Sequence, residues 1–515
     1  MMHPSSGGNQ PATDPHIDAA RLVQTRDITR RHFFGQMKNG VGLMALASLM
    51  SQRGALGQTP SAPPPEGAAS AGTLAQMRSI LAAKAPHFAP TAKRIVYIHL
   101  AGSPPQHDLL DYKPRLNELN GQKCPDSLLE KERFAFIKGH PKILGSPYTF
   151  AQYGKSGAWV SNLMPYFAKI VDEVTIVRSM FTDQFNHAPA ELFLYTGSPR
   201  LGRPSMGSWM VYGLGSENQN LPGFVVLLSG GRNPSSGKSV WGSGFLPTVY
   251  QGCQCRSEGE PVLYADNPPG VTRESRREAL STLAGLNRLR HAQTNDPETL
   301  SRIEQYELAF RMQVSVPEVM DISREPKETL DLYGVDPAKP SFARNCLLAR
   351  RLLEQGVRHV QLFDHGWDVH GTGEGDDIMH QLPKKCRETD QGAAALVLDL
   401  KRKGMLDDTL VVWSGEFGRT AMNEERNGSK FFGRDHHPHC FTIWMAGGGV
   451  KRGAVFGETD DLGYRVIQDP VHIHDLQATI LHAMGMDHEK LTYRFQGRDF
   501  RLTDVHGKVV PGLLV

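Results

Sequence analysis

Two aspartates and two histidines lie within eight residues, at positions 364–371, directly after the run 357–363, which is predicted to be a buried strand. Imidazole and carboxylate groups together suit Zn²⁺, Mn²⁺ or iron as ligands. Asp368 and His370 are two residues apart, so they can converge on one ion in an extended or looped backbone, whereas a helix would splay them apart. The stretch therefore predicts either a metal site or a surface loop in which Asp364, His365 and their neighbours bond to water and backbone.

Four further polar clusters flank other predicted strands. They lie at residues 99–111, 186–187, 416 and 435–437, next to the predicted strands 94–100, 174–179, 409–414 and 441–446. The carboxyl ends of parallel strands meet along one edge of an open sheet, and ligands bind at that edge. Five polar clusters on one edge favour the metal site over the surface loop.

The elements that would position these clusters alternate between strand and helix. Further strands are predicted at 223–229 and 357–363, and helical spacing covers 159–171, 189–196, 341–355, 376–403 and 472–484. Residues 230–270 predict inserted loops, and residues 272–314 are charged and helical in pattern. Apolar strands that alternate with helices predict an α/β fold with a mostly parallel sheet covered on both faces.

Composition narrows the class of protein. The chain has 515 residues, of which 39% are hydrophobic, so it can bury a large core. Its formal net charge of +3 is small and no basic block stands out, which argues against nucleic-acid binding. Six scattered cysteines are too few for a disulfide scaffold, and Cys253 and Cys255 predict a local disulfide or free thiols.

The N-terminal region resembles a twin-arginine export signal. Arg30, Arg31 and Phe33 precede the apolar run 41–50, which is shorter than the roughly 20 residues that span a bilayer. We therefore expect a leader at 1–57, a flexible linker at 58–90, and one α/β domain at 91–515 with insertions at about 230–330. This resemblance implies export by the twin-arginine machinery to the periplasm or the outside, with no stable membrane span after processing.

Structural alternatives exist for several candidate residues. Glu416 and Arg419 could form an ion pair that only supports the fold. His436 and His437 could be surface residues, although the density of the segment 435–439 favours contact with metal or substrate. His187, at the predicted start of a helix, could cap or pack that helix.

The order of the clusters resembles the alkaline phosphatase and sulfatase superfamily, and most closely its sulfatase-like branch of unknown function, DUF1501. The segments that carry the resemblance are 102–111, 186–197, 203–207, 366–370, 415–419, 433–438 and 497–498. It implies an alkaline-phosphatase-like three-layer sandwich and a divalent metal ion, Zn²⁺ first and Ca²⁺ or Mn²⁺ as alternatives. In active members of the superfamily, the ion activates a Ser, Thr or Cys nucleophile and stabilises developing charge.

The chain departs from the superfamily pattern at three places. His187 stands at the nucleophile position, Ala101 or Gly102 replaces the metal-binding Asp after the first strand, and Glu416-Phe417 replaces an Asp-His pair. A rebuilt metal site is expected, in which a metal-bound water is a better nucleophile candidate than any side chain.

The resulting candidates fall into three roles. The metal ligands are predicted to be Asp108, Asp368, His370, Glu416, His436 and His437, with His99 or Asp111 as further candidates. The catalytic residues are predicted to be His187, Arg419 and Arg434, with His187 as ligand or acid/base. The substrate-binding residues are predicted to be Asn186, Ser205 and Asp435.

Two functions fit these residues. The first is an exported metal-dependent hydrolase of sulfate or phosphate esters, with a small molecule or a glycan as substrate. The second is a non-catalytic, metal-stabilised protein that binds an anionic glycan or a partner in the same pocket.

Overall fold

The computed structural model describes residues 80–515, except 131, 133, 258 and 263–266. The predicted leader, and residues 58–79 of the predicted linker, lie outside the described part. Within that part, no helix is both long and apolar enough to span a bilayer. The six cysteines are free thiols.

The strands follow the predicted order, with additional short ones. They are β1 Arg94–Ala101, β2 Phe150–Tyr153, β3 Ala158–Ser161, β4 Val174–Phe181, β5 Phe224–Ser229, β6 Cys253–Cys255, β7 His359–His365, β8 Thr409–Ser414, β9 Gly418–Arg419, β10 His436–His437, β11 Phe441–Ala446, β12 Ala454–Phe456, β13 Glu458–Thr459, β14 Val466–Gln468, β15 Val471–His472, β16 Tyr493–Phe495 and β17 Arg498–Phe500.

The α-helices include the predicted ones, except that at 159–171, together with additional helices. They are α1 Gln106–Leu109, α2 Pro114–Glu118, α3 His187–Thr196, α4 Met206–Leu214, α5 Arg273–Thr294, α6 Pro297–Met320, α7 Lys327–Tyr333, α8 Phe342–Glu354, α9 Gln381–Arg402 and α10 Ile473–Ala483. The charged segment predicted at 272–314 is two packed helices, because Asn295 takes a left-handed conformation and Asp296 caps the second helix.

A nine-stranded sheet forms the centre of the molecule. Its strand order is β12-β4-β11-β8-β1-β7-β5-β6, with β15 also paired to β4. Strand residues alternate between two cores: Val96 and Ile98 face the core that contains α8 and α9, whereas Ile95 and Tyr97 face the core that contains α3, α4 and α10. The predicted α/β fold, with a mostly parallel sheet and helices on both faces, is confirmed.

One central strand runs against its neighbours. β11 is antiparallel to both β4 and β8, whereas β1, β5, β6, β7 and β8 are mutually parallel in their pairings. The beginning of β11 therefore lies at the same edge as the ends of β1, β7 and β8. For this reason the histidines that precede β11 reach the edge where the other polar clusters follow their strands.

The prediction of a helix at 159–171 is wrong. Residues Ala158–Ser161 form β3, which pairs with β2 in a hairpin. The apolar spacing is real, since Val160, Met164, Phe167 and Val171 are all buried. Pro165 follows Met164, however, and a proline disfavours helical backbone at the preceding residue, so two short turns bury this stripe without an α-helix.

Candidate metal centre

Three imidazoles converge on one carboxylate at the carboxyl edge of the sheet. The Nε2 atoms of His187, His370 and His436 lie 3.2, 2.8 and 3.3 Å from Oδ1 of Asp368. One ligand atom from each of the four residues lies within 4.8 Å of every other. Three nitrogens and one oxygen at this separation form a donor set that suits a tetrahedral zinc ion.

Each of the three histidines is held at its other ring nitrogen. Nδ1 of His187 donates to Oε1 of Glu416 at 2.6 Å, and Nδ1 of His436 donates to the carbonyl of Phe185 at 2.7 Å. Nδ1 of His370 donates to the carboxylate of Glu424. Metal-binding histidines have this arrangement, because an acceptor at one nitrogen fixes the tautomer and directs the lone pair of the other nitrogen to the ion.

Two close backbone approaches position the loop that carries Asp368 and His370. Gly102 has φ +107°, and a Cβ at this residue would lie 2.4 Å from the backbone nitrogen of Asp368. A Cβ at Gly433 would lie 1.9 Å from the carbonyl carbon of His370. The loop after β7 is thus packed between the C-terminal end of β1 and the segment that leads into β10.

The ribbon formed by β9 and β10 supplies His436 and one further contact to Asp368. Arg419 and His436 are directly opposite in this pairing. The guanidinium of Arg419 is fully buried and lies 2.5 Å from Oδ1 of Asp368. It also donates to the carbonyls of Gly102 and Ser103, so its donors are used within the protein.

Charge compensation in the centre is local. Burial would raise the pKa of Asp368, but Arg419 and the three imidazoles outweigh it and hold that pKa far below its ordinary value. Burial would lower the pKa of His187, but hydrogen bonds to Asp368 and Glu416 raise it to about 9. Burial dominates at His436 and lowers its pKa to about 4. The carboxylate is therefore ionised throughout the neutral range, as a metal ligand must be.

The centre opens to a cleft of about 800 Å³. The side chain of Asp368 is 41% exposed, whereas those of His370 and His436 are nearly buried. Arg232 and Lys384 also line this cleft and are exposed, and neither makes an ion pair with a described carboxylate. Asp376 and Glu388 line the same cleft, but Arg232 and Lys384 are the two exposed cations there that can contact an anionic ligand.

Several predicted site residues lie outside the four-residue cluster. The carboxylate of Asp108 is paired with the guanidinium of Arg434 at 2.8 Å, and both side chains are fully buried. Nε2 of His437 donates to the carbonyl of Tyr464, and the two rings stack. Ser205 caps α4. These contacts stabilise the fold, and none of these residues belongs to the four-residue cluster.

The other predicted residues lie next to the cluster. The carboxylate of Asp435 accepts from the backbone nitrogens of Phe136, Ile137 and His436, so it organises the loop around the centre. Asn186 precedes α3 and is exposed. Glu416 accepts a hydrogen bond from Nδ1 of His187, whose Nε2 faces Asp368, and is not one of the four residues of the cluster.

Glu424 and Glu191 were not among the predicted site residues. Glu424 is 54 residues from His370 in the sequence and does not directly follow a predicted strand, so no sequence pattern indicated that the two side chains are in contact. Glu191 lies one helical turn after His187 on α3, and the spacing of four residues was the available signal.

Comparison with known proteins gives a family and distant structural likenesses. Residues 92–514 match the family described as "Protein of unknown function (DUF1501)". No curated protein matches the chain in sequence. The structure is similar to PsFucS1 sulfatase from Pseudoalteromonas sp., with 12% identity, TM-score 0.35, and coverage of 77% of this chain and 68% of that chain.

Two other structures are similar at the same level. A protein in the alkaline phosphatase superfamily from Vibrio parahaemolyticus has 10% identity and TM-score 0.33, over 79% of this chain and 69% of that chain. Alkaline phosphatase from the Antarctic bacterium TAB5 has 9% identity and TM-score 0.30, over 76% of this chain and 98% of that chain. Likeness at this level does not indicate an activity.

Proposed function

Because the chain belongs to the DUF1501 family, whose description assigns no activity, we propose its function from the centre itself: a metal-dependent hydrolase of sulfate or phosphate esters. One observation carries the proposal. Three histidine Nε2 atoms and a carboxylate oxygen converge at the floor of a cleft, and each histidine is fixed at Nδ1.

Zn²⁺ is the ion that this donor set favours. His187, His370, His436 and Asp368 would hold it, since imidazole nitrogen and carboxylate oxygen are common zinc ligands. Mn²⁺ is the alternative, whereas Ca²⁺ takes oxygen ligands and is disfavoured by three imidazoles. When bound, the ion would act as a Lewis acid toward the oxygens of the ester.

The protein's own groups would bind and orient the substrate. Arg232 and Lys384 are the exposed cations of the cleft, and we propose that they bind the anionic group of the ester. Arg419 orients Asp368, because its donors are already used by Asp368 and by backbone carbonyls. Both ring nitrogens of His187 face carboxylates, so we assign the attack on the ester to a water molecule in the cleft.

Turnover of aryl sulfates and aryl phosphates by zinc-loaded protein tests this proposal. We expect removal of the metal by a chelator, or the substitution His370→Ala, to lower kcat/KM at least about a hundredfold. His380→Ala is the matched control, because His380 is exposed near the same loop and pairs with Asp377 instead of the centre. Zinc-loaded protein that turns over no ester in a broad panel would exclude the hydrolase.

A second function is favoured by the number of protein ligands. Four side chains complete a tetrahedral ion, which is typical of structural zinc sites, whereas catalytic sites keep one position open. The chain would then bind an anionic glycan in the cleft without turnover. Binding of a sulfated oligosaccharide that Arg232→Ala weakens, with no product formed, supports this function, and hydrolysis abolished by Asp368→Ala excludes it.

Export by the twin-arginine route, and a periplasmic or extracellular location, stay predictions. They rest on residues 30–50, which lie outside the described part of the chain.

A further inference from the structure

A second group of ligand-type side chains lies behind the first, inside the molecule. His99 is in β1, Glu191 is on α3 one turn after His187, and Glu416 follows β8. One ligand atom from each lies within 4.8 Å of the others, and the three residues are 0%, 1% and 0% exposed.

Polar atoms in this group lack partners. Neither ring nitrogen of His99 makes a hydrogen bond, and the same holds for Oε2 of Glu416, among the described residues. His99 Nε2 and Glu416 Oε2 lie 3.3 Å apart, but not in hydrogen-bonding geometry. The rings of Phe363 and Tyr195 pack against His99 and exclude water from that side. A buried polar atom without a partner destabilises the fold, so three in one place need an explanation.

Among the described residues, histidine alone offsets the negative charge of this group. Glu191 and Glu416 are both buried, and within the described chain no Lys or Arg forms an ion pair with either. Glu191 accepts hydrogen bonds from the backbone nitrogens of Ser235 and Ser236. Protonated His187 offsets one carboxylate, so a second buried carboxylate requires a further cation or a shared proton.

We propose that His99, Glu191 and Glu416 bind a second divalent transition-metal ion. One imidazole and two carboxylates are ligands that Zn²⁺ and Mn²⁺ accept. The unpartnered atoms of His99 and Glu416 supply the donors, and Glu191 lines the cleft, so an ion can enter from that side.

The second ion would be separated from the first by a side chain. Oε1 of Glu416 accepts from Nδ1 of His187, and Nε2 of the same ring faces Asp368. An imidazole ring therefore stands between the two ligand sets, and the ions cannot form the pair about 3.5–4 Å apart that two-metal hydrolases use. The second ion instead fixes Glu416, and through Glu416 the orientation of His187, which makes Glu191 a positioning residue.

The number of metal ions bound per chain tests this proposal independently of enzymatic turnover. Full-length protein is stripped with a chelator, titrated with Zn²⁺ and with Mn²⁺ separately, and analysed for ions per chain. We expect two ions in the wild type, one in Glu191→Gln, one in His370→Ala and none in the double variant. Glu388→Gln is the matched control, because this carboxylate lines the same cleft but pairs with Lys385 at 2.7 Å, and it should keep two ions.

Other outcomes overturn the proposal. One ion in the wild type, unchanged by Glu191→Gln, excludes the second site, and so do two ions that persist in that variant. A shared proton between Glu191 and Glu416 would instead give a carboxylic acid band in the infrared spectrum that Glu191→Gln removes. If Glu191→Gln does not fold, His99→Asn takes its place with the same expected loss. Failure of the proposed hydrolase leaves these ion counts unchanged, so the two proposals fail separately.

Discussion

Glu424 makes no contact with a candidate ion site except through His370, yet we expect it to control metal affinity. Its carboxylate accepts from Nδ1 of His370, whose Nε2 faces Asp368. Glu424→Gln keeps the shape and an acceptor but removes the charge that strengthens the imidazole as a ligand. We predict that zinc affinity falls about 10- to 100-fold, measured by competition with a chromophoric chelator.

The adjacent residue provides the control for this prediction. Glu425→Gln changes the same type of side chain one position along, where the carboxylate is exposed and 3.3 Å from Lys142. Its zinc affinity should equal that of the wild type. Equal affinity in both variants would mean that Glu424 does not support a ligand.

At the level of single residues, sequence showed which groups are suited to chemistry but not which partners they have. The spacing of Asp368 and His370 predicted that they could converge, and the structure places them together. Asp108 and Arg434 had equally suitable side chains but pair with each other in the interior. They are 326 residues apart, so only the folded chain reveals that each uses the other's charge.

The end of β1 and the loop after β7 are in contact at Gly102, so this glycine tests how the elements hold the centre. Alanine at Gly102 would strain φ and place Cβ 2.4 Å from the backbone of Asp368. We predict that Gly102→Ala lowers the free energy of unfolding by about 2–4 kcal/mol and weakens zinc binding, because the ligand loop must move.

Gly404 separates the two effects of this substitution. It also has a positive φ, +67°, but a Cβ there would meet no described atom within 4 Å. Gly404→Ala should cost only about 1 kcal/mol in urea denaturation and leave zinc affinity unchanged. If Gly102→Ala binds zinc as the wild type does, the packing of these elements does not position the ligands.

A buried histidine at the start of β7 predicts how stability depends on pH. His359 is fully buried against Phe224, and burial lowers its pKa to about 3, from 6.5 in the unfolded chain. Between these values the unfolded chain binds more protons, so this residue's contribution to stability is present above pH 6.5 and is lost as pH falls.

The substitution His359→Phe removes this titration. Between pH 7 and pH 5, its free energy of unfolding relative to the wild type should rise by about 2 kcal/mol, measured by urea denaturation at each pH. His482→Phe, at an exposed histidine, is the control and should show no such rise. A relative stability of His359→Phe that does not change with pH would contradict the prediction.

Long strands and helices that pack on the central sheet could be predicted from their apolar pattern. Short or irregular elements could not. The long strands and α8, α9 and α10 have uniform apolar faces and appear close to their predicted bounds. The ribbon of β9 and β10 is two residues long on each side, too short for any periodicity. The direction of β11 depends on its partners, so its antiparallel pairing could not be seen in its sequence.

At the scale of the whole molecule, the centre joins segments that are distant in sequence. His187 begins α3, Asp368 and His370 follow β7, and His436 lies in β10. The sheet brings them to one edge because β11 runs against its neighbours. An ion at this point would cross-link three parts of the chain that separate when the protein unfolds.

Zinc should therefore stabilise the whole fold and not only its own loop. Binding to the folded state alone adds about 2.7 kcal/mol at a zinc concentration one hundred times Kd. Because the entropy of unfolding is about 2.1 cal/mol/K per residue, a domain the size of the described chain should gain about 3 °C in Tm. We expect this rise in calorimetry of wild-type protein, reversed by a chelator and reduced in His436→Ala, which keeps only the second proposed site. His439→Ala, at a histidine that contacts Glu132 outside the centre, should keep it. A rise of equal size in both variants would mean that zinc stabilises the protein from another site.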